Sequence, residues 1–592
     1  MTAPSLHVNT ALPDHSRHLG HDLSPSTARR RSPSRVASPS NPFQPVRPRR
    51  PTTNSVRLAA ARLLDMLPPN VRRLFTSSPL VGVTVLVLLC LALFFHRPIQ
   101  ELVAPFRPWS TSSSPSSSHA PAVALEPLPT IPLIYEEYFP DGTLPSSLTT
   151  PEHHLLAERL IAFLSRPIES HDEATERMHE NCPAEVSDKL VNPDQYNGDS
   201  GFWMNDVTKE EIVKRRADVV RWLEERVEQG ETIIGSERTG KGRGIVLTGG
   251  NQNKDTTFRT ITVLKHLRNV GNHLPVEFFH YEGELEDRNQ RREIEGLGAT
   301  IRQAVGVEKQ AGAWKNWQIK GLAIVQSSFR EVLYLDSDNI PLRSPAHLFD
   351  AHLYTAHGAA FWPDLSKDHP DNAIWRLVGD TCDLSHWTFE SGQIVIDKAG
   401  NAGLNLAALW IASGMMGERE FWFHMCGGDK DTFRWAFRIL NIGWNDSPRW
   451  MSALGFKNGF DSGRFCGHTT LQYDLVTPQG HTQAPPLFVH SNLLKHLGGG
   501  LAQGQAFTHV KHFAQDNYSD PALNFAHLWV YHTPLRGMCL DMEWHPLAYD
   551  RLSEEDRERH RIEEIKVDEM EGKPFEGFEP AFFEEGGRVG GW

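Results

Sequence analysis

The sequence predicts an α/β fold whose centre is a Rossmann-type, nucleotide-binding parallel sheet. Three observations predict it. Short apolar runs alternate with helical patterns over residues 244–335, the order strand–helix–strand that gives parallel sheets. The first run, G-I-V-L-T at Gly244, ends on Gly249-Gly250, where the backbone can approach a ligand closely. The run Val332 to Leu335 stops abruptly at Asp336-Ser337-Asp338. In open α/β sheets, ligands bind beyond the carboxyl ends of strands. Two carboxylates there, one residue apart, can hold a hard divalent cation, and that cation can neutralise a departing diphosphate.

Along the chain, residues 1–73 are rich in Pro, Ser and Arg, hold no Lys, and have Asp14, Asp22 and Asp65 as their acids. That composition predicts a disordered basic tail. Residues 74–96 are almost free of charge and long enough to span a bilayer. Arg72 and Arg73 flank the amino end of the span, so the positive-inside bias puts the tail in the cytosol and the large carboxyl part in a lumen. This is a type II signal-anchor. Residues 97–150, with S-T-S-S-S-P-S-S-S, read as a flexible stem. The catalytic body is expected at 151–550 and a charged tail, a helix and then a loose acidic end, at 551–592.

The whole chain of 592 residues has a formal net charge of −13, and because the tail is basic the body is clearly acidic. That argues against a nucleic-acid-binding body. Five of the six cysteines, Cys182, Cys382, Cys426, Cys466 and Cys539, would be lumenal; they form no CxxC or zinc pattern, and at least one cannot pair within the chain. Asn517-Tyr518-Ser519 is a usable N-glycosylation sequon.

Within the body, a helix is expected from about Lys209 to Gln229, with Thr208 and Glu211 suited to a capping box. Strand Gly244–Thr248 follows, then a helix over 256–267, a strand over 276–281, a helix over 315–327 and the strand 332–335. There is no GxGxxG and no P-loop, so dehydrogenase and kinase readings lack their fingerprint. A second acidic pair, Asp429 and Asp431, follows Gly427-Gly428 rather than an apolar run, and is given a different role from the first.

Several segments together resemble the fungal mannosyltransferases of glycosyltransferase family 71. They include G-I-V-L-T-G-G at Gly244, L-P-V-E-F-F-H-Y at Leu274, W-Q-I-K-G-L-A at Trp317 and E-V-L-Y-L-D-S-D-N-I-P-L at Glu331. F-W-P-D at Phe361, E-S-G-Q-I-V-I-D-K at Glu390, G-D-K-D-T-F at Gly428 and F-V-H-S-N-L-L-K at Phe488 complete the set. The overall look is nearest to the alpha-1,2 type that branches mannan. The resemblance implies a GT-A-like fold, GDP-mannose as donor, manganese as cofactor, retention of configuration, a mannosylated glycan acceptor and a place in the Golgi membrane, with a mannosyltransferase complex as a possible partner. An alpha-1,3 linkage, another nucleotide sugar, or a non-catalytic subunit of such a complex are the alternatives.

Candidate roles follow. Asp338 is the first choice as direct metal ligand, Asp336 reaches the ribose or the metal through water, and His490, after the apolar run Pro486 to Val489, is the third ligand. Thr248, Gly249, Gly250, Trp314, Trp317, Lys320 and Lys495 are candidates for binding the donor, the two tryptophans as walls of the nucleotide or sugar pocket and Lys495 through its diphosphate. Glu390 and Gln393 are placed at sugar hydroxyls near the anomeric carbon. Asp429 or Asp431 orients the acceptor hydroxyl or the mannose, with charge compensation at a helix N-terminus as the alternative. Trp362 and Asp364 are assigned to the acceptor.

Overall fold

The computed structural model describes residues 138–139, 141–250, 256–310, 316–458, 463–498, 501–533, 537–544 and 553–590. The basic tail 1–73, the span 74–96 and most of the stem lie outside the described residues. Among the described residues no helix is long and apolar enough to cross a membrane.

A seven-stranded sheet has the order β3-β2-β1-β4-β7-β6-β8. Its strands are β1 Arg243–Thr248, β2 Val276–His280, β3 Ala299–Gln303, β4 Glu331–Leu335, β6 Ala359–Pro363, β7 Phe389–Asp397 and β8 Asn445–Asp446. The first four pair in parallel, β3 to β2, β2 to β1 and β1 to β4. Strand β7 then runs antiparallel between β4 and β6. The α/β reading of the sequence is borne out, and β1, β2 and β4 fall where the apolar runs place them.

Side chains along these strands alternate between two cores, as the period of two requires. Val246, Val332, Tyr334, Ile394 and Ile396 point to the core that holds the helix Leu404–Gly417. Ile245, Leu247, Leu333, Leu335 and Val395 point to the core shared with a second sheet. Both faces are covered, which is why the strands read as unbroken apolar runs.

The second sheet has eight strands, with the path β13-β14-β10-β9-β12-β15 and β11 joined to β10 and β5. Its members are β5 Asn339–Pro341, β9 Ser452–Asn458, β10 Arg464–Tyr473, β11 Pro486–His490, β12 His509–Phe513, β13 Ala526–Thr533, β14 Gly537–Trp544 and β15 Ile562–Lys566. Strand β5 follows the acidic motif directly and pairs antiparallel with β11, so this sheet is joined to the first at the end of β4.

Two boundaries differ from the sequence reading. Tyr138, Leu144 and Leu148 are buried in the helical core, so packed structure starts before Pro151. Residues 553–590 are not a loose tail. Ile562–Lys566 pairs with β12, Phe575, Phe578 and Phe582 are buried in the second core, and Gly590 N–H donates to the Leu494 carbonyl at 3.0 Å. Strand pairing recruits Ile562 and Ile565 in spite of the charges between them.

The helix Lys209–Glu228 forms as expected but with half of the capping box: Thr208 accepts a hydrogen bond from Glu211 N–H at 3.3 Å, while the Glu211 carboxylate accepts from Arg215 Nε at 2.6 Å. Disulfides join Cys182 to Cys382 and Cys466 to Cys539, and Cys426 is free and buried. Asn517 of the sequon is exposed.

Candidate active site

A cleft opens over the carboxyl ends of β1 and β4. Thr248, Gly249, Gly250, Trp317, Lys320, Asp336, Asp338, Asp364, Glu390, Asp429, His490 and Lys495 all line it. Twelve of the sixteen residues singled out from the sequence therefore meet at one cavity, and Trp314 lies outside the described residues.

The acidic motif leaves β4 in a turn, with Asp336 N–H donating to the Gly392 carbonyl at 2.9 Å. Pairing of β5 with β11 sets His490 opposite Asn339, and His490 Nε2 comes to 3.2 Å from Asp338 Oδ1. One ligand atom from each of Asp336, Asp338 and His490 lies within 4.8 Å of the other two. Two carboxylates and an imidazole are a donor set that suits a divalent ion such as manganese. Glu390 Oε2 lies 3.0 Å from His490 Nδ1 and positions the ring from behind. A carboxylate behind a metal-binding histidine is the usual outer partner of such a ligand. These residues fit a divalent cation.

The charges around the cluster are strongly interdependent. Burial raises the Asp338 pKa, but Lys495 and His490 outweigh it and hold the group well below the usual carboxylate range. Asp336 goes the other way: burial raises its pKa against the opposing pull of Lys320 and His490. Burial opposes the charge on His490, yet Glu390 and Asp338 push its pKa up to about 10. Tyr334 connects this cluster to β1, donating to Asp336 Oδ1 at 2.8 Å with Thr248 Oγ1 2.9 Å from its hydroxyl.

Lys320 projects from the helix Ile319–Gln326 into the cleft wall. That helix can pack closely on Leu404–Gly417 because residue 321 is glycine; a Cβ there would lie 2.6 Å from Ser413 Oγ. Lys320 Nζ reaches Asp429 Oδ2 at 2.7 Å, Ser391 Oγ at 2.8 Å, and Asp336 at 3.2 Å. Burial opposes its charge, but Asp336 and Asp429 outweigh that and raise its pKa. It is a fixed cation between the Asp336–Asp338–His490 cluster and the second acidic pair.

Three sequence assignments are corrected. Gln393 is fully buried, takes a hydrogen bond from Asn339 Nδ2 and does not line the cleft. Asp431 is fully buried: it accepts Phe389 N–H at 3.0 Å and Arg434 Nε at 2.9 Å and pairs with Lys430 at 2.7 Å, so it fastens the helix Thr432–Leu440 to β7. Trp362 is also fully buried, donating Nε1–H to the Tyr473 carbonyl at 2.7 Å, and offers no face to a sugar. Asp364 does face the cleft, 3.1 Å from Lys430 Nζ.

The sequence reading missed Tyr334, Ser391, Lys430, Glu284 and Lys309. Lys430 had a signal, lying between the two aspartates already singled out. Tyr334 had none, because a tyrosine in an apolar strand reads as core.

Residues 242–385 match the mannosyltransferase family model Mannosyl_trans3. Alpha-1,2-mannosyltransferase MNN2 of Saccharomyces cerevisiae is 24% identical over 352 residues, covering 50% of this chain and 55% of that protein. Alpha-1,2-mannosyltransferase MNN21 of Candida albicans is 37% identical over 189 residues, covering 27% of each. The chain thus spans about half or less of the length of these relatives. Among solved structures, the Mn/GDP form of core-mannan synthase A from Aspergillus fumigatus aligns over 35% of this chain and 72% of its own, at 9% identity and a TM-score of 0.21. Mouse xyloside xylosyltransferase 1 aligns over 34% and 82%, at 12% identity and a TM-score of 0.24. The resemblance to fungal mannosyltransferases of family 71, nearest to the alpha-1,2 type, is borne out by the family match and these relatives.

Proposed function

We propose that this chain is a metal-dependent mannosyltransferase that moves mannose from GDP-mannose to a mannosylated glycan, with retention and an alpha-1,2 linkage. The observation that carries the reading is the convergence of Asp336, Asp338 and His490 at the end of β4. Similarity to alpha-1,2-mannosyltransferases supports the choice of sugar and bond in this reading.

In this reading Asp338 and His490 hold the cation, with Asp336 beside them and Glu390 fixing the histidine. The cation, when bound, neutralises the charge that develops on the diphosphate as the glycosidic bond breaks. Lys495 supplies a further positive group at the same end. Gly249 and Gly250 line the cleft and offer their backbone to the nucleotide, while the missing Cβ atoms leave room for Phe278 and Glu284 to pack behind them. Lys320 and Asp429 face the mannose. Neither cleft carboxylate near the sugar is a free nucleophile: Asp429 is held by Lys320, and Glu390 by His490 and by Gly392 N–H at 2.7 Å. Departure and attack on the same face, within one ion-pair-like transition state, suit that arrangement better than a double displacement. Asp364, beside Lys430, marks the acceptor side.

The proposed setting is the Golgi lumen, with residues 74–96 as a type II anchor. The two disulfides fit an oxidising compartment. The test is transfer by the full chain in detergent, given manganese, GDP-mannose and an alpha-mannoside, with linkage assigned by NMR. Chelator-sensitive transfer lost in Asp338→Ala is expected. A folded protein that transfers nothing from any nucleotide sugar to any mannoside would overturn the proposal.

A further inference from the structure

One end of the cleft takes no part in the transfer chemistry. Beyond Gly250, Glu284 and Lys309 lie side by side on the cleft wall. Glu284 ends a turn that follows β2, with its N–H 3.2 Å from the Tyr281 carbonyl. Its carboxylate is buried and bonded through Oε1 to Lys309 Nζ. Its other oxygen rests on the Gly250 backbone, so near that a Cβ at residue 250 would lie 1.7 Å from Oε2. A pair with a buried carboxylate and a partly exposed ammonium contributes little net stability. Its place on a ligand cleft gives it something to recognise.

The sheet order sets the distance from the acidic cluster. Strand β2 is separated from β4 by β1 alone. At the usual spacing of about 4.8 Å, two steps are about 10 Å. That is the reach of a nucleoside from its phosphate to the far edge of its base.

We propose that Glu284 and Lys309 read the base of the donor nucleotide and select guanine. The inference rests on the nucleotide-sugar reading of the cleft given above. Guanine presents O6 as acceptor and then N1–H and N2–H as donors along one edge. The Lys309 ammonium, which has three hydrogens, donates to O6 while keeping Glu284. The two oxygens of Glu284 accept N1–H and N2–H. No other common base satisfies the pair. Uracil sets its O2 against a carboxylate oxygen. Adenine and cytosine point an amino group at the ammonium and an unprotonated ring nitrogen at the carboxylate. A buried polar site discriminates strongly when the wrong ligand leaves its groups unpaired.

The experiment compares GDP with IDP, which differs only in lacking the 2-amino group. Dissociation constants for GDP, IDP, UDP and pyrophosphate are measured by calorimetry on the full chain in manganese, for wild type, Glu284→Gln and Lys309→Met. Wild type is expected to favour GDP over IDP by about 10-fold or more, the worth of one hydrogen bond to a charged group, and to bind UDP more weakly still. Glu284→Gln is expected to bring the GDP/IDP ratio to within about twofold, with pyrophosphate binding unchanged. Lys309→Met is expected to weaken GDP and IDP alike, since both carry O6. A wild-type GDP/IDP ratio near one, a ratio unaltered in Glu284→Gln, or a preference for UDP would each overturn the inference and leave a nucleotide site standing. Binding of none of the four ligands by wild type would overturn the nucleotide-sugar reading, and this inference with it.

Discussion

His490 stands opposite Asn339 in the antiparallel register of β5 and β11, and that pairing brings its Nε2 to 3.2 Å from Asp338 Oδ1 across 152 residues of sequence. The proposed metal centre is therefore a product of the junction between the two sheets. β4 delivers the carboxylates, and β11 delivers the imidazole.

Glu390 positions His490 from its far side and sits next to the cluster without being one of its three ligands. Removing such an outer carboxylate typically weakens metal affinity 10- to 100-fold. Glu390→Gln keeps the shape and drops the charge. Manganese affinity, read by calorimetry on the folded variant, is expected to fall by about that factor. An affinity equal to wild type would show that Glu390 does not position the histidine.

The two aspartates of the second pair should respond differently. Asp431 is wholly enclosed and holds Phe389 N–H, Arg434 and Lys430, so Asp431→Asn leaves two buried cations underneutralised. Breaking a buried pair costs about 3–5 kcal/mol, and a clear drop in Tm is expected. Asp429 faces the cleft, and Lys320 keeps Asp336 and Ser391 when Asp429 is neutralised. Asp429→Asn is expected to melt much closer to wild type while kcat falls by about 100-fold, the scale of a lost electrostatic contact to the transition state. Equal losses of Tm in both variants would remove the distinction.

How much of this was legible in the sequence depended on whether a residue's surroundings were local. Asp336 and Asp338 could be found because an apolar strand that ends on carboxylates shows within ten residues. His490 could be found for the same reason, after Pro486 to Val489. Asp431, at the start of a helix, could not be told from Asp429 two residues before it, and Gln393 and Trp362, on strands of the central sheet, could not be separated from true cleft residues. The central sheet is buried on both faces, so alternation does not mark which side of a strand meets solvent. The second sheet was hidden for another reason: β10 pairs with β14, and β12 with β15, over long stretches of chain. In β15 the run I-E-E-I-K carries three charges in five residues and reads as solvated until β12 is beside it.

His468 gives the fold a specific sensitivity to acid. It is fully buried in β10, with Nε2 2.7 Å from the Ala506 carbonyl and Nδ1 2.8 Å from Thr469 Oγ1, as suits a neutral ring. Burial lowers its pKa from 6.5 to about 4. Because the folded value lies below the unfolded one, the unfolded chain takes up the proton first as pH falls. This contribution is complete above about pH 6.5 and is lost progressively toward pH 4, by about 3 kcal/mol at roughly 1.4 kcal/mol per pH unit. Denaturant unfolding at pH 7, 5.5 and 4 would measure it. His468→Gln should flatten that part of the profile, and a slope equal to wild type would assign the acid sensitivity to other groups.

Two of the tryptophans assigned to ligand binding, Trp317 and Trp362, separate in the structure, and paired substitutions test the separation. Trp317 lines the cleft beside Gly428, its ring tilted on Phe423 at 6.1 Å between centroids. Trp362 is sealed between Phe488 and the Tyr473 carbonyl. In Trp362→Phe the ring contact is largely kept and the Nε1–H donor is lost, which leaves a buried carbonyl without its partner at a cost of about 1–3 kcal/mol. Lower stability with KM for donor and acceptor unchanged is expected. Trp317→Ala removes an aromatic wall from the cleft and is expected to raise the KM for the nucleotide sugar by about 3- to 10-fold, in proportion to the worth of one aromatic contact, with little change in Tm. If Trp362→Phe raised the acceptor KM instead, the buried side chain would have to reach the cleft during turnover, and its assignment to the core would be wrong.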